Sequence, residues 1–312
     1  MSKIKNIVQR PVATYSIVAR DPSTGEIGVA VQSHWFSVGS VVPWVEAGIG
    51  AVATQSFVEP SYGYLGLILM RTGKSASEAL KSLLASDPNR ELRQVAMIDK
   101  DGTVAVHTGS KCIAAAGHLT GDNFSVQANM MSNEGVWPAM KKTFEKTKGD
   151  LAERMLAALE AAEAAGGDVR GRQSAALIVV HGNSSGRSWI DRRFDLRIED
   201  HPEPLKELRR LLRIARAYEH ADKGDDLATE GKISEAGKEY AKAAELAPEI
   251  MELPFWHAVT LASAGKIEEA KEIFADVFLK EPQWRELVRR LPAAGFLPDD
   301  ADLIEAIIGI GR

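Results

Sequence analysis

The stretch TYSIVARDPSTGEIGVAVQS, residues 14–33, decides the fold. Two runs rich in apolar and β-branched residues flank DPSTG at residues 21–25, and aspartate, proline and glycine favour turns. The stretch is therefore predicted to be a β-hairpin with Thr14 at the head of its first strand. A threonine hydroxyl is a weak nucleophile until a base takes its proton, and a threonine that begins a chain has such a base in its own α-amino group, with a pKa near ~8.

The composition is that of an ordinary soluble globular protein, with 312 residues, 45% of them hydrophobic, 26% charged and a net charge of −5, and the length predicts two domains. The basic residues are scattered, which argues against a nucleic-acid partner and favours a small or neutral one. The single Cys112 excludes an intrachain disulfide and a cysteine zinc cluster, so a reducing compartment is expected. Because no apolar run approaches the ~18 residues of a membrane span, we predict a cytoplasmic protein with no membrane partner.

Strand and helix signals continue outward from the hairpin. Residues 38–54 are rich in valine, alanine and glycine, as in strands buried on both faces. Ser75 and Glu78 are spaced as a capping box, which marks the start of a helix. Strands are predicted within residues 38–54, 93–98, 103–107, 173–181 and 188–198, and pairs of helices within 62–85 and 134–165. This order of elements is that of two sheets enclosed by two helical layers.

After a charged helix predicted at about residues 204–220, the sequence repeats itself with a period of 34 residues. The repeat resembles the tetratricopeptide repeat, in which a glycine turns the chain between two helices and an aromatic residue fills their interface. Two departures are that Gly224 lacks the usual preceding leucine and that Pro254 falls inside a helix. We predict two helical hairpins and a capping helix after Gln283. Gly231, Lys232, Ile233, Glu235, Ala236, Tyr240 and Pro248 are matched by Gly265, Lys266, Ile267, Glu269, Ala270, Phe274 and Pro282.

Four segments of the first two thirds carry a family resemblance: TYSIVARD, GVAVQSHWFSVGSVVPW, AGIGAVATQSFVEPSYG and AAGGDVRGRQSAALIVV. They resemble an uncharacterised prokaryotic family, the domain of unknown function 1028, assigned to the N-terminal nucleophile (Ntn) hydrolase-like fold. The resemblance implies an α+β fold, a four-layer αββα sandwich related to the proteasome and to glycosylasparaginase, and it supplies no substrate. The expected domains are an N-terminal extension or propeptide at 1–13, an Ntn-hydrolase-like domain at 14–212 and an all-α tetratricopeptide-like domain at 213–312.

The resemblance implies a role for Thr14. In Ntn hydrolases the first residue attacks an amide carbonyl, its own amine moves the proton, and backbone amides stabilise the oxyanion. Relatives that begin Met-Thr expose this amine by methionine removal, whereas 13 residues precede Thr14 here. We therefore predict cleavage between Ala13 and Thr14 by attack of the Thr14 hydroxyl on the preceding carbonyl. The alternative is that Thr14 is an ordinary strand residue.

Other candidate catalytic residues lie at the predicted strand ends. Ser33 and His34 end the second strand of the hairpin, where they could face the nucleophile. His34 is either an acid or a ligand for a substrate oxygen, or a packed residue at the rim. Asn129 is either an amide donor to the oxyanion or an ordinary strand-end asparagine.

Candidate substrate-binding residues form three groups. Ser16 shares a strand face with Thr14 because side chains alternate along a strand. A second group follows Gly48 and Gly50, where glycine lets backbone donors approach an oxyanion. The third follows a glycine pair, and there an arginine could grip a substrate carboxylate or pair with the neighbouring aspartate. The second group is Thr54 and Gln55, and the third is Asp168, Arg170, Arg172 and Gln173.

The sequence therefore predicts a hydrolase of linear or cyclic amide bonds in a small substrate, with no cofactor and no metal. One alternative is a non-catalytic Ntn-like binding module whose helical repeats recruit a protein partner. Another is an uncleaved enzyme that uses Ser16 or Ser33 with His34 as base. The short repeat domain is expected to pack on the hydrolase domain or to form a homo-oligomer.

Overall fold

Ten strands form two antiparallel sheets in the part of the chain that the structure, a computed structural model, describes, namely residue 12 and residues 14–311. The strands are β1 (Thr14–Arg20), β2 (Ile27–Ser33), β3 (Pro43–Glu46), β4 (Gly50–Ser56), β5 (Arg93–Asp99), β6 (Val104–Thr108), β7 (Gly117–Gly121), β8 (Phe124–Asn129), β9 (Ser174–Val180) and β10 (Arg192–Ile198). One sheet has the order β10-β9-β2-β1-β8-β7 and the other the order β3-β4-β5-β6.

The helices lie between the strands and after them. They are α1 (Ser61–Arg71), α2 (Ala76–Ser86), α3 (Val136–Lys146), α4 (Leu151–Ala164), α5 (Pro204–Thr229), α6 (Ile233–Leu246), α7 (Glu252–Ser263), α8 (Ile267–Lys280), α9 (Trp284–Arg290) and α10 (Ala301–Ile308). The predicted capping box of Ser75 and Glu78 is present. Ser75 is the N-cap, and α2 begins at the following residue, Ala76. The chain divides into two compact units between Leu211 and Leu212, the first mixed α/β and the second helical.

Each sheet packs on the other sheet through one face and on helices through its opposite face. Between the sheets, valines of β1 and β2 such as Val18 and Val31 join Ala53 and Ile98 of the second sheet in one apolar cluster. Helices α1 and α2 cover the outer face of the four-stranded sheet with Tyr62, Leu67 and Leu80. Helices α3 and α4 cover the outer face of the six-stranded sheet. This layering buries both faces of the strands that carry the apolar sequence runs.

The predicted β1–β2 hairpin is confirmed. Its strands pair in register from Thr14 opposite Ser33 to Arg20 opposite Ile27. Gly25 has a φ of 77°, a left-handed conformation that favours glycine, and its N–H donates to Asp21 O at 2.8 Å. The hairpin places Thr14 at the end of the sheet opposite to this turn.

In the second unit the sequence repeat is also a structural repeat. Gly231 and Gly265 both have a φ of 78°, and each ends the turn after a helix. The next residues repeat the same contact, since Lys232 N donates to Leu227 O at 2.8 Å and Lys266 N donates to Leu261 O at 2.9 Å. The period of 34 residues therefore describes successive helical hairpins.

Of the two sequence departures from the repeat, the one at Pro254 has a structural explanation, while at the other the structure explains the glycine at 224 and not the missing leucine before it. A Cβ on Gly224 would lie 2.7 Å from the ring of Tyr240, so the absence of a side chain lets the two helices approach. Pro254 lies in the first turn of α7, where the amide hydrogen that proline lacks has no helical acceptor. The helix predicted at 204–220 is longer than expected and continues as α5 to Thr229. Ala221, in the added part of the helix, packs against the apolar cluster that contains Ala217, Ala243 and Ala247.

Candidate functional site

Polar residues form a row across the ends of four neighbouring strands of the six-stranded sheet. Thr14, the first residue of β1, pairs directly with Ser33, the last residue of β2, and with Asn129, the last residue of β8. Ser174, the first residue of β9, pairs with Ser33 on its other side. Directly opposed residues in antiparallel strands have Cβ atoms about 4.5–5.5 Å apart on one face. We call Asn129, Thr14, Ser33 and Ser174 the polar row, and all four are 0% exposed.

The Thr14 hydroxyl has two neighbours that can accept a hydrogen bond from it. Its Oγ1 lies 3.0 Å from Val12 O and 3.2 Å from Ser33 Oγ. Ser174 serves the scaffold, because its Oγ donates to Trp35 O at 2.5 Å and accepts from Val38 N at 3.1 Å. The structure thus brings together three of the predicted catalytic residues and adds Ser174, which is not among the predicted site residues.

Val12, the described residue before Thr14, pairs with the second sheet. Val12 N donates to Ser56 O at 2.6 Å, and Ser56 N donates to Val12 O at 3.1 Å. The Val12 side chain is fully buried in the apolar cluster between the sheets. In this uncleaved chain the Thr14 nitrogen is a peptide nitrogen, so the base that an N-terminal threonine would carry is absent. Residue 13 and residues 1–11 lie outside the described residues, and with them one side of the predicted cleavage point.

Glutamines link the two sheets beneath the polar row. Ser16 Oγ donates to Gln55 Oε1 at 2.6 Å and accepts from Gln127 Nε2 at 2.6 Å. Gln55 Nε2 lies 2.7 Å from Gln94 Oε1 and 3.3 Å from Thr14 O. All four side chains are fully buried. Ser16 and Gln55, predicted to bind substrate, therefore act in this structure as buried cross-links that hold the strand of Thr14.

The orientation of the Asn129 amide follows from this network. Gln94 Nε2 donates to two carbonyls, Gly117 O at 3.2 Å and Ala128 O at 2.9 Å, so Gln94 Oε1 must be the accepting end. Asn129 Nδ2 donates to that oxygen at 3.0 Å. Asn129 Oδ1 is left buried without a hydrogen-bond partner among the described residues. Asn129 was expected to donate to an oxyanion, but its nitrogen is engaged with Gln94 and its unpartnered atom is an acceptor.

The charged side chains of Asp168, Arg170 and Arg172 form hydrogen bonds and ion pairs with other residues of the chain. The Asp168 carboxylate accepts from His34 N at 3.1 Å and from the Arg170 guanidinium at 2.9 Å. Arg172 forms ion pairs with Glu163 at 2.7 Å and with Glu203 at 3.3 Å. These contacts match the structural alternative considered for this cluster, in which the charges fix the loop before β9.

Three predicted site residues point elsewhere. Thr54 Oγ1 donates to Glu59 O at 3.2 Å, and Thr54 lies on the strand face opposite to that of Gln55. Gln173 Nε2 donates to Asp200 Oδ1 at 3.1 Å. The Nδ1 of His34 lies 3.3 Å from Arg172 O, so the ring contacts the loop before β9. The structure does not bring Thr54, Gln173 or the His34 ring to the Thr14 hydroxyl.

Burial controls the ionisation of two nearby groups. The pKa of the Cys112 thiol is raised, mainly by burial, so the thiol is protonated at neutral pH and is a weak nucleophile. The pKa of Tyr15 is raised well above its ordinary value by burial and by the negative charge of Glu163, to which its hydroxyl donates at 2.6 Å. The hydroxyls of Thr14 and Ser33 therefore remain the nucleophile candidates in the polar row.

Two residues beside the polar row have a left-handed backbone conformation. Ser56, the last residue of β4, has a φ of 69°, and Met130, the residue after β8, has a φ of 58°. Left-handed backbone is uncommon outside glycine and often marks functional sites. Ser56 pairs with Val12, which lies two residues before Thr14. Met130 directly follows Asn129, a member of the polar row.

Two further properties bear on the kind of site this chain can offer. Residues 12 and 14–311 contain no group of three or more histidine, cysteine, aspartate or glutamate side chains arranged to hold a metal ion. Among the helices of this same part of the chain, none is long and apolar enough to cross a membrane.

Comparisons with known proteins identify the family that the sequence resembles and two solved structures similar to this chain. A crystal structure of a protein from Silicibacter pomeroyi, described by the DUF1028 family model, is 31% identical with a TM-score of 0.58, and the match covers 65% of this chain and 89% of that one. Anbu, an ancestral β-subunit from Yersinia bercovieri, is 12% identical with a TM-score of 0.28, covering 62% of this chain and 91% of its own. The comparison with curated proteins finds no match. The model of the family of unknown function DUF1028 matches residues 14–208. Because that match spans more than half of the chain, the protein belongs to the DUF1028 family.

Proposed function

We propose that this protein is an N-terminal nucleophile hydrolase of amide bonds, with an αββα Ntn-type fold and with Thr14 as its nucleophile. The observation that carries the proposal is the position of the Thr14 hydroxyl at the head of the central strand β1, 3.2 Å from the hydroxyl of Ser33 and opposite Asn129. The match of the DUF1028 family model, which begins at residue 14, supports the same residue. The family itself has no assigned activity, so the chemistry rests on the site.

The active form arises by cleavage of the bond between Ala13 and Thr14. Thr14 Oγ1 attacks the carbonyl carbon of Ala13, and its proton passes to the departing Thr14 nitrogen, with Ser33 Oγ close enough to relay it. The C–N bond breaks, which leaves an ester on Oγ1 and a free α-amine. Water then hydrolyses the ester, so that Ala13 ends in a carboxylate and Thr14 recovers its hydroxyl.

The processed enzyme repeats this chemistry on its substrate. The Thr14 amine, with an ordinary pKa near ~8, takes the hydroxyl proton as Oγ1 attacks the substrate carbonyl. The proton then moves to the leaving amine, and water releases the acyl group. Asn129 Oδ1, the buried acceptor opposite Thr14, accepts a hydrogen bond from the Thr14 amine and orients it. Neither step needs a cofactor.

The N-terminus of active protein tests the proposal. Intact-mass measurement and N-terminal sequencing are expected to find Thr14 as the first residue, with cleavage and amidase activity both lost in Thr14→Ala and retained in Thr14→Ser. Thr54→Val serves as the matched control, because Thr54 is a buried strand threonine that contacts Glu59 and not the polar row. Full amidase activity in a homogeneous uncleaved chain, or in Thr14→Ala, would contradict the proposal.

A second function, a non-catalytic binding module, is favoured by one observation. Thr14 is closed to solvent while Val12 occupies the space between the sheets, so the uncleaved chain cannot admit a substrate. In this function the helical hairpins form a tetratricopeptide-like domain that recruits a protein partner. A chain that stays uncleaved, with no difference between the wild type and Thr14→Ala in any amidase assay, would favour it.

The remaining alternative, an uncleaved enzyme that uses Ser16 or Ser33 with His34 as base, has less support. Successive strand residues point to opposite faces, and the His34 ring contacts Arg172 O. His34→Ala distinguishes it, since an uncleaved Ser/His enzyme would lose all activity in this variant, whereas the Thr14 mechanism makes no use of His34.

A further inference from the structure

We propose that the substrate is a peptide, bound in extended form against Ser56, with an aliphatic side chain two residues before the scissile bond. This inference rests on the proposed function and adds the substrate class and a subsite to it. Its basis is that Val12 occupies, in the uncleaved chain, the place that the acyl side of a substrate takes in the processed enzyme.

Backbone pairing is the first observation. Val12 and Ser56 exchange two hydrogen bonds, Val12 N to Ser56 O at 2.6 Å and Ser56 N to Val12 O at 3.1 Å, in an antiparallel bridge. When residues 1–13 leave, the Ser56 N–H and C=O both lose their partner. An extended peptide restores both bonds, which is how strand addition at a sheet edge recognises a backbone without regard to its sequence.

Side-chain burial is the second observation. The Val12 side chain is 0% exposed and belongs to the cluster that contains Val38, Val42 and Ala53. Trp35 and Val58 pack against the same cluster. Departure of Val12 leaves an apolar subsite, and a charged side chain placed there would lose its hydration without gaining an ion partner. The subsite therefore selects an aliphatic residue.

The position of the nucleophile connects this subsite to the reaction. Thr14 Oγ1 lies 3.0 Å from Val12 O, so the residue that pairs with Ser56 lies beside the attacking atom. The same hydroxyl attacks the bond after residue 13 during self-cleavage and the substrate amide afterwards. In both reactions the attacked carbonyl must lie on the same side of Thr14 Oγ1. The two residues before the scissile bond therefore occupy the same positions in self-cleavage and in substrate hydrolysis. Hydrolysis breaks the C–N bond, and water supplies the hydroxyl of the new acid and a proton for the amine.

The experiment uses the processed full chain and fluorogenic peptide amides. Acetyl-Val-Ala-aminomethylcoumarin is expected to be hydrolysed with a kcat/KM about tenfold above that of the Gly-Ala analogue, because the aliphatic side chain is buried. The Asp-Ala and Lys-Ala analogues are expected to fall about 100-fold below the Val-Ala peptide. An analogue with N-methylvaline lacks the donor to Ser56 O and is expected to be about tenfold slower than its parent.

A small β-lactone that acylates N-terminal threonine separates the two proposals. If Thr14 is labelled but the Val-Ala, Gly-Ala and Asp-Ala peptides react at equal rates, the peptide subsite is wrong and the nucleophile stands. The subsite is also wrong if N-methylation has no effect. If the chain stays uncleaved and unlabelled, the proposed function fails and the substrate inference fails with it.

Self-cleavage offers a test that needs no added substrate. Val12→Ile keeps an aliphatic side chain and is expected to be processed at a rate within about threefold of the wild type. Val12→Asp is expected to be processed at least about tenfold more slowly. Circular dichroism establishes that each variant is folded before its rate is compared. Equal rates in both variants would contradict the apolar subsite.

Discussion

Asn129 and Gln94 lie in facing sheets, and the Asn129 amide nitrogen donates to Gln94 Oε1 at 3.0 Å. This bond holds the Asn129 oxygen as a buried acceptor, without a partner among the described residues, on the strand beside Thr14. Burying a polar atom without a hydrogen-bond partner lowers the stability of the folded state. A donor that reaches Asn129 Oδ1 would remove this cost, so the unpartnered oxygen is consistent with a binding site for a donor. In the proposed mechanism that donor is the α-amine created by cleavage.

The first prediction concerns the pH dependence of the processed enzyme. A hydrogen bond to Asn129 Oδ1 favours the protonated amine and so raises its pKa. Asn129→Ala is expected to move the acid limb of the kcat/KM profile to lower pH and to reduce the maximal rate about tenfold, through loss of orientation. Asn129→Asp adds a negative charge and is expected to move the limb to higher pH. Identical acid limbs in all three enzymes would remove Asn129 from contact with the amine.

The second prediction concerns stability. Gln55→Met removes a side chain that links Ser16, Gln94 and the Thr14 carbonyl, and is expected to lower the free energy of unfolding by about 2–4 kcal/mol. Thr54→Val is the control on the adjacent residue, whose hydroxyl makes one bond to Glu59 O, and is expected to cost less than about 1 kcal/mol. Urea unfolding measures both. Equal costs would show that the glutamine network is not a main support of the sheet interface.

The third prediction tests the turns of the helical repeat. Gly231 and Gly265 have a φ of 78°, and a Cβ at either position would meet no atom within 4 Å, so alanine there is opposed by backbone conformation alone. Gly231→Ala and Gly265→Ala are each expected to destabilise the helical unit by about 1 kcal/mol, and the double variant by about 2 kcal/mol. Gly237→Ala, inside α6, is expected to be neutral or to stabilise the unit by up to about 1 kcal/mol. Hydrogen exchange of the full chain measures the changes, and equal effects at all three positions would refute the turn argument.

The fourth prediction concerns acid sensitivity of the helical unit. Glu239 contacts His220 Nδ1 at 2.6 Å and Lys242 Nζ at 3.1 Å, and these hydrogen bonds lower the pKa of Glu239 to about 2. A lowered pKa stabilises the folded state above the unfolded value, near ~4.3, and that stabilisation is lost as the pH falls towards the folded value.

Glu239→Gln removes this dependence. At pH 6 the peptides that cover α6 are expected to be less protected from hydrogen exchange in the variant than in the wild type. The difference is expected to shrink as the pH is lowered from about 4.3 towards 2. A difference that stays constant over this range would show that ionised Glu239 does not stabilise the unit.

Part of the site was accessible from the sequence because it depends on local patterns. Thr14 and Ser33 end the two arms of one hairpin, and the turn residues between them set the register that places them opposite each other. Alternation along the strand also predicts that Thr54 and Gln55 face opposite sides. It does not predict which of the two faces Thr14, because that depends on which sheet packs against β4.

Asp168 and Arg170 illustrate a second limit. The sequence indicated a charged cluster beside a buried strand, for either ion pairing or substrate binding. The choice depends on whether the guanidinium meets a carboxylate of the chain, and Asp168, with a side chain that is 0% exposed, provides one at 2.9 Å. Burial of a carboxylate requires such a partner, and burial is a tertiary property.

The sequence by itself determined the hairpin that begins at Thr14, the capped start of α2 and the 34-residue helical repeat, because turn chemistry, caps and periodicity act between residues close along the chain. Only the tertiary structure decided that β1 lies between β2 and β8 and that Gln94 of the facing sheet orients Asn129. It also decided that Val12 pairs with Ser56. These relationships join residues far apart in the chain, and they follow from strand order and sheet packing, which no local pattern specifies.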